Sequence, residues 1–166
     1  MVAQSFEHDA VGHPASGDRV TLTIPSKPQY VGLCRLALAA LATQDQLPEE
    51  VVADLKVAVS EACALFVPLV EEEDADGGPA GGGRSETAAD LAVASLADVT
   101  VDYVLFDDHW AVEVSGARDA FPRSEIENPT SERALGITII KALVDRLDLP
   151  VPGADTAVVR LVKRLA

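Results

Sequence analysis

The hydrophobic period changes several times along this chain, and the order of those changes restricts the fold more than any single motif. From Arg19 to Ile24, Val20, Leu22 and Ile24 alternate with Thr21 and Thr23. That two-residue period belongs to a strand with one buried face. Pro25 closes it, because proline cannot donate to a ladder. Residues 28–43 and then 48–67 switch to helical spacing, and Pro28 and Pro48 each suit a first helical turn. The runs VTVDYVLF (99–106) and WAVEVS (110–115), joined by a polar turn, read as a β-hairpin. Residues 116–133 are polar and broken by Pro122 and Pro129, and Leu135–Leu147 is helical. Pro150 and Pro152 forbid its continuation, and Thr156–Val162 closes the chain as a strand. The order strand, helix, helix, long loop, two strands, loop, helix, strand implies an α+β two-layer sandwich. Its helices are grouped against a largely antiparallel sheet.

Spacing also assigns faces. In the first helix Leu33, Leu36, Ala37, Ala40 and Leu41 form the expected apolar stripe, which leaves Arg35 exposed. In the second, Val52, Leu55, Val59, Cys63 and Phe66 form the buried stripe, with Glu50, Asp54 and Glu61 opposite. Leu65 follows Glu61 by four residues and is expected beside it on the polar side. The third helix is expected to bury Leu135, Ile139 and Leu143, with Arg146 and Leu147 in register. In the hairpin Val99, Val101, Tyr103 and Leu105 share one face.

A length of 166 residues suits one domain. Residues 1–18 have no period and read as a flexible tail, leaving 19–166 as the domain. An acidic, Gly-rich loop at about 71–88 interrupts it, with too few side chains to offset the entropy of ordering. It lacks the preceding strand and the Gly-Lys-Ser/Thr helix start of a phosphate loop. The formal charge of -14 excludes non-specific nucleic-acid binding and argues against anionic membranes. It permits a basic protein partner. Two cysteines, Cys34 and Cys63, exclude a disulfide framework and a four-thiolate zinc site. His8, His13 and His109 are scattered, and no pair has zinc-helix spacing. The N-terminus lacks the basic start and apolar run of a signal peptide, and no apolar run approaches the roughly 18 residues of a membrane helix. A soluble, cytoplasmic protein is expected.

The stretch VTLTIPSKPQYVGLCRLALAALA, followed by LPEEVVADLKVAVSEACALFV, closely resembles the RsbW-type anti-sigma factors. These are serine-protein kinases with the GHKL (Bergerat, HATPase-like) fold. The hairpin and ALGITIIKALVD extend the resemblance over roughly residues 19–165. It implies a mixed, mostly antiparallel sheet covered on one face by helices. ATP would sit under a lid between the second helix and the Gly-rich start of the last.

In that family the second helix carries E-A-x-x-N. The glutamate acts as general base toward a substrate serine, and the asparagine gives an oxygen to the Mg²⁺ that bridges the ATP phosphates. Glu61 matches the glutamate, but Leu65 stands where the asparagine should be. A leucine has no lone pair, and Mg²⁺ demands oxygen ligands. The family's D-x-G aspartate binds the adenine amino group. Aligned on Phe121, its place is taken by Gly116 and that of the glycine by Arg118, with Asp119 out of register. Losing a charge-assisted hydrogen bond costs about 1.5–3 kcal/mol, roughly 10- to 150-fold in affinity. The family's G-G-L-G reads Arg133-Ala134-Leu135-Gly136, so only Leu135 and Gly136 match.

These replacements predict weak or absent binding of ATP and Mg²⁺, a vestigial Glu61 and no metal site. The resemblance implies a homodimer that sequesters an alternative sigma factor in the stress response, countered by a STAS-domain anti-anti-sigma factor. Arg35 matches a family arginine that takes part in partner contact, and its planar fork suits carboxylates. The leading expectation is a kinase-degenerate anti-sigma factor. The alternatives are an active ATP-dependent serine-protein kinase of the same family and a decoy for STAS proteins. No nucleic-acid or membrane partner is expected.

Overall fold

The structure, a computed structural model, describes residues 17–67 and 98–165. The acidic loop, residues 87–96 and all but the end of the N-terminal tail lie outside the described residues. Five strands, β1 (Asp18–Pro25), β2 (Asp98–Leu105), β3 (His109–Ala117), β4 (Arg146–Asp148) and β5 (Thr156–Arg164), form one sheet in the order β1-β2-β3-β5-β4. All four pairings are antiparallel. The helices are α1 (Pro28–Gln44), α2 (Glu49–Ala64), α3 (Arg123–Ile126) and α4 (Glu132–Leu143). With them this is the expected α+β arrangement.

Side-chain alternation sorts the two faces of the sheet. Val99, Val101 and Tyr103 on β2, Trp110, Val112 and Val114 on β3, and Ala157, Val159 and Leu161 on β5 are buried in one core cluster with α1 and α2. On the opposite face Thr21, Asp102, Glu113, Arg160 and Asp148 lie directly across from one another on successive strands. Arg19 stands 3.3 Å from Asp102 and Arg160 3.5 Å from Glu113. Such partly exposed ion pairs contribute little to stability, although a slipped register would forfeit them.

Both long helices begin as their prolines suggest. Pro28 opens α1 after the extended Lys27, and Glu49 and Glu50 place negative charge at the start of α2. The chain leaves α1 through Gln46 at φ 53, with Leu47 N–H bonded to Ala42 O at 3.0 Å. That left-handed exit satisfies a terminal carbonyl of the helix.

Three expected faces are corrected. On α1 the buried residues are Cys34, Leu38 and Ala42, whereas Leu33 and Leu36 are 45% and 68% exposed. The helix is apolar almost all round, so spacing alone could not fix its rotation. The last helix stops at Leu143 and buries Arg133, Gly136, Ile137 and Ile140, leaving Leu135 58% exposed. Arg146 and Leu147 belong instead to β4, opposite Val162 and Leu161. Lys163 Nζ caps the helix end through Leu143 O at 2.8 Å while bonding Asp54 Oδ2 at 2.9 Å. Finally, α2 ends at Ala64 rather than near Val67, and Leu65 is 1% exposed in the core rather than on a polar side. Leu65, the C-cap, keeps helical angles and bonds its N–H to Glu61 O at 3.3 Å, so the rotation continues; its burial comes from what packs over the end of the helix, which spacing does not show.

Candidate functional site

The exit of α2, the end of β3 and the start of α4 converge on one region. Leu65, Phe66 and Val67 form a turn in which all three side chains are buried. Two donors fasten its backbone. Ser26 Oγ–H donates to Phe66 O at 2.6 Å, and Arg133 Nη2 donates to Val67 O at 2.6 Å. Each removes the desolvation cost of a carbonyl that helix termination leaves unpaired.

Phe66 then packs across the sheet end. A Cβ added at Gly116 would lie 2.7 Å from Phe66 Cδ1, a contact real side chains do not make. Glycine at 116 is what lets the ring lie there. Phe121 flanks it with ring centroids 5.7 Å apart and planes tilted by 47°. The backbone around Gly116 is held by β5, where Gly116 pairs with Ala157.

At the start of α4, Ser131 is the N-cap, and its Oγ accepts the Ala134 N–H at 3.0 Å. One of the free donors that make a helix start attractive to anions is therefore already occupied. Arg133 is 8% exposed, with Nε 3.6 Å from Glu125 Oε2 and no hydrogen-bond acceptor for Nε among the described residues. Its guanidinium thus bridges α4 to the end of α2 and to α3.

Glu61 is half-buried on α2 and faces α4. A Cβ at Gly136 would come within 2.9 Å of Glu61 Oε2, so the carboxylate rests on the bare backbone of Gly136. Glu61 and Gly136 therefore face each other between α2 and α4, while Gly116 meets Phe66 at the exit of α2. Leu135 points away to solvent. Arg35 lies elsewhere, on the exposed face of α1, beside a shallow depression lined by Gln29, Leu33, Arg35, Leu36, Ala39 and Lys56. It takes part in no ion pair among the described residues.

Sequence reasoning missed two features of the site. Spacing places Phe66 in the buried stripe of α2 but gives no sign that it meets Gly116. Motif alignment shows Arg133 only as a replaced glycine, and nothing in its spacing shows that it is buried.

Among the described residues no cluster of three or more His, Cys, Asp or Glu could hold a metal ion. No helix among them is long and apolar enough to cross a membrane.

Residues 24–163 match the family model of the histidine kinase-like ATPase domain. The chain is also 30% identical over 144 residues to the serine-protein kinase RsbW of Listeria monocytogenes serovar 1/2a, covering 80% of this chain and 79% of that protein. The RsbW proteins of Bacillus subtilis and Bacillus licheniformis are 26% and 25% identical, over 80% and 85% of this chain and 78% and 83% of theirs. The chain belongs to the RsbW-type family of histidine kinase-like ATPase domains.

Proposed function

We propose that this chain is an anti-sigma factor that has kept the binding half of the family's function and lost the kinase half. The observation that carries this is the turn Leu65–Val67. Where a magnesium-binding family member has an asparagine oxygen, Leu65 offers hydrocarbon directed into the core. Where the adenine-binding aspartate would stand, Gly116 receives the ring of Phe66. Where the first glycine of the phosphate loop would leave room, Arg133 crosses to Val67 O. This donor set does not fit a magnesium nucleotide, whose cation needs several oxygens in near-octahedral array. Glu61 keeps a carboxylate suited to a general base, but no activated phosphoryl group would reach it.

Binding would use a surface that the nucleotide site does not share. On α1, Arg35 stands with Leu33 and Leu36, all exposed, in a chain of strongly negative net charge. A guanidinium among exposed leucines suits a partner that presents a carboxylate within an apolar contact. The partner proposed is an alternative sigma factor, released by competition from a STAS-domain anti-anti-sigma protein rather than by phosphorylation.

Retention of Glu61 and the kinase activity in the relatives' names favour the competing reading, an active serine-protein kinase. Incubation of the full chain with a STAS-domain partner, Mg²⁺ and γ-labelled ATP separates the two. The expected result is an unlabelled STAS protein, together with a sigma factor co-purifying with the wild type and lost from Arg35→Ala. Labelling of a serine on the STAS protein overturns the proposal.

A further inference from the structure

A cavity of about 330 Å³ lies outside the region between α2 and α4. It opens between residues 118–123, which lead out of β3, and residues 150–157, which lead into β5. No residue of α2 or α4 lines it. Its volume is in the range of small-molecule sites.

The walls are apolar and held in place. Pro150, Val151 and Pro152 line one side, and each proline ring fixes its own backbone angle. Gly153, at φ 89, turns the chain back toward β5. Phe121 lines the other side and packs against Phe66. The two sides are tied together where Arg123 Nη2 donates to Pro150 O at 2.9 Å. A ligand would therefore meet a cavity already shaped, with little ordering left to oppose binding.

The charge of the lining runs against that of the chain. In a protein of net charge -14, two guanidiniums, Arg118 and Arg123, line this cavity against one carboxylate, Asp119. Asp119 does not engage Arg118 firmly. Its Oδ1 is 3.7 Å from Arg118 Nε, beyond hydrogen-bond range, and the two side chains are 96% and 57% exposed. Arg123 takes part in no ion pair among the described residues. Beyond the one bond to Pro150 O, its fork keeps donors to spare.

We propose that this cavity is a binding site for a small organic acid, a carboxylate carried on an apolar body about the size of one aromatic ring. The carboxylate pairs with the guanidinium forks of Arg118 and Arg123, a geometry that arginine favours. The body packs against Phe121 and the proline wall. A phosphate fits the lining less well. It has no apolar part to set against Val151 and the prolines, and it carries further oxygens that those side chains cannot pair. The site stands independently of sigma-factor binding and of the nucleotide question.

The test titrates the isotope-labelled full chain with phenylacetate and follows its amide NMR spectrum, with phenylacetamide and inorganic phosphate as parallel arms. The expected result is saturable, one-to-one shifts from phenylacetate, concentrated in residues 117–123 and 150–157. Phenylacetamide, which keeps the ring and lacks the charge, should bind about tenfold more weakly or not at all. Phosphate should not displace phenylacetate. Arg118→Ala and Arg123→Gln should each weaken phenylacetate binding severalfold. Their spectra report at once whether they are folded, and the acid–amide comparison on the wild type carries the test if either is not. Shifts that fail to saturate at tens of millimolar, or that cluster elsewhere, overturn the proposal. So does equal binding of the amide, displacement by phosphate, or unchanged affinity in both folded variants.

Discussion

Substituting Leu65→Asn restores, on paper, the family's magnesium ligand. In this fold it should instead damage the core. Leu65 is 1% exposed, so the substitution gives up the burial of a leucine side chain, worth about 1.5–3 kcal/mol. The new carboxamide is then buried among apolar groups, and leaving it without partners adds about 1–3 kcal/mol. The combined loss of about 3–6 kcal/mol is a large fraction of the 5–15 kcal/mol that holds a domain folded. At roughly 2–4 °C per kcal/mol for a chain of this size, the melting temperature should fall by on the order of 10 °C or more. Circular dichroism during urea and thermal unfolding measures both quantities. A Leu65→Asn protein with wild-type stability and new magnesium-dependent nucleotide binding would refute the reasoning. It would place residue 65 in an open site rather than in the core.

Three further outcomes follow from the same geometry. Gly116→Asp, the other restoring change, forces a Cβ to within 2.7 Å of the Phe66 ring; overpacking of this kind costs about 1–3 kcal/mol, seen as a lower urea midpoint without gain of ATP binding. Arg133→Met removes the hydrogen bond to Val67 O and leaves that carbonyl unpaired, which should cost about 1.5–3 kcal/mol in equilibrium unfolding. Burial raises the Tyr103 pKa above that of an unfolded tyrosine. Its contribution to stability is therefore complete below about pH 10 and is lost as pH rises further, so at least one of the two tyrosines should gain phenolate absorbance only as the chain unfolds.

The strands and the starts of the long helices were legible because each rests on a local cause. The alternation in 19–24, 99–105 and 156–162 needs only neighbours two residues apart, and Pro28 and Pro48 act on their own turns. Helix rotation was less legible. From Val31 to Ala42 every position but Gly32 and Arg35 is Ala, Leu, Val or Cys, so only the docked sheet and α2 decide that Leu38 is inside and Leu36 outside. The end of α2 depends on Ser26 and Arg133, which lie 40 and 66 residues away in sequence from the carbonyls they bond. No short-range pattern announces such contacts. At the candidate site no spacing shows that Gly136 meets Glu61, that Gly116 meets Phe66 or that Arg133 reaches Val67 O. That information lies in side-chain volume and reach across the fold rather than in spacing.

Whether the region between α2 and α4 accepts a magnesium nucleotide decides whether the kinase half of the function is lost. Calorimetric titration of the purified full chain with MgATP tests this without need of any partner. A trace with no saturable heat up to millimolar nucleotide is the expected result. A one-to-one isotherm with a micromolar Kd that weakens on removal of Mg²⁺ would contradict it.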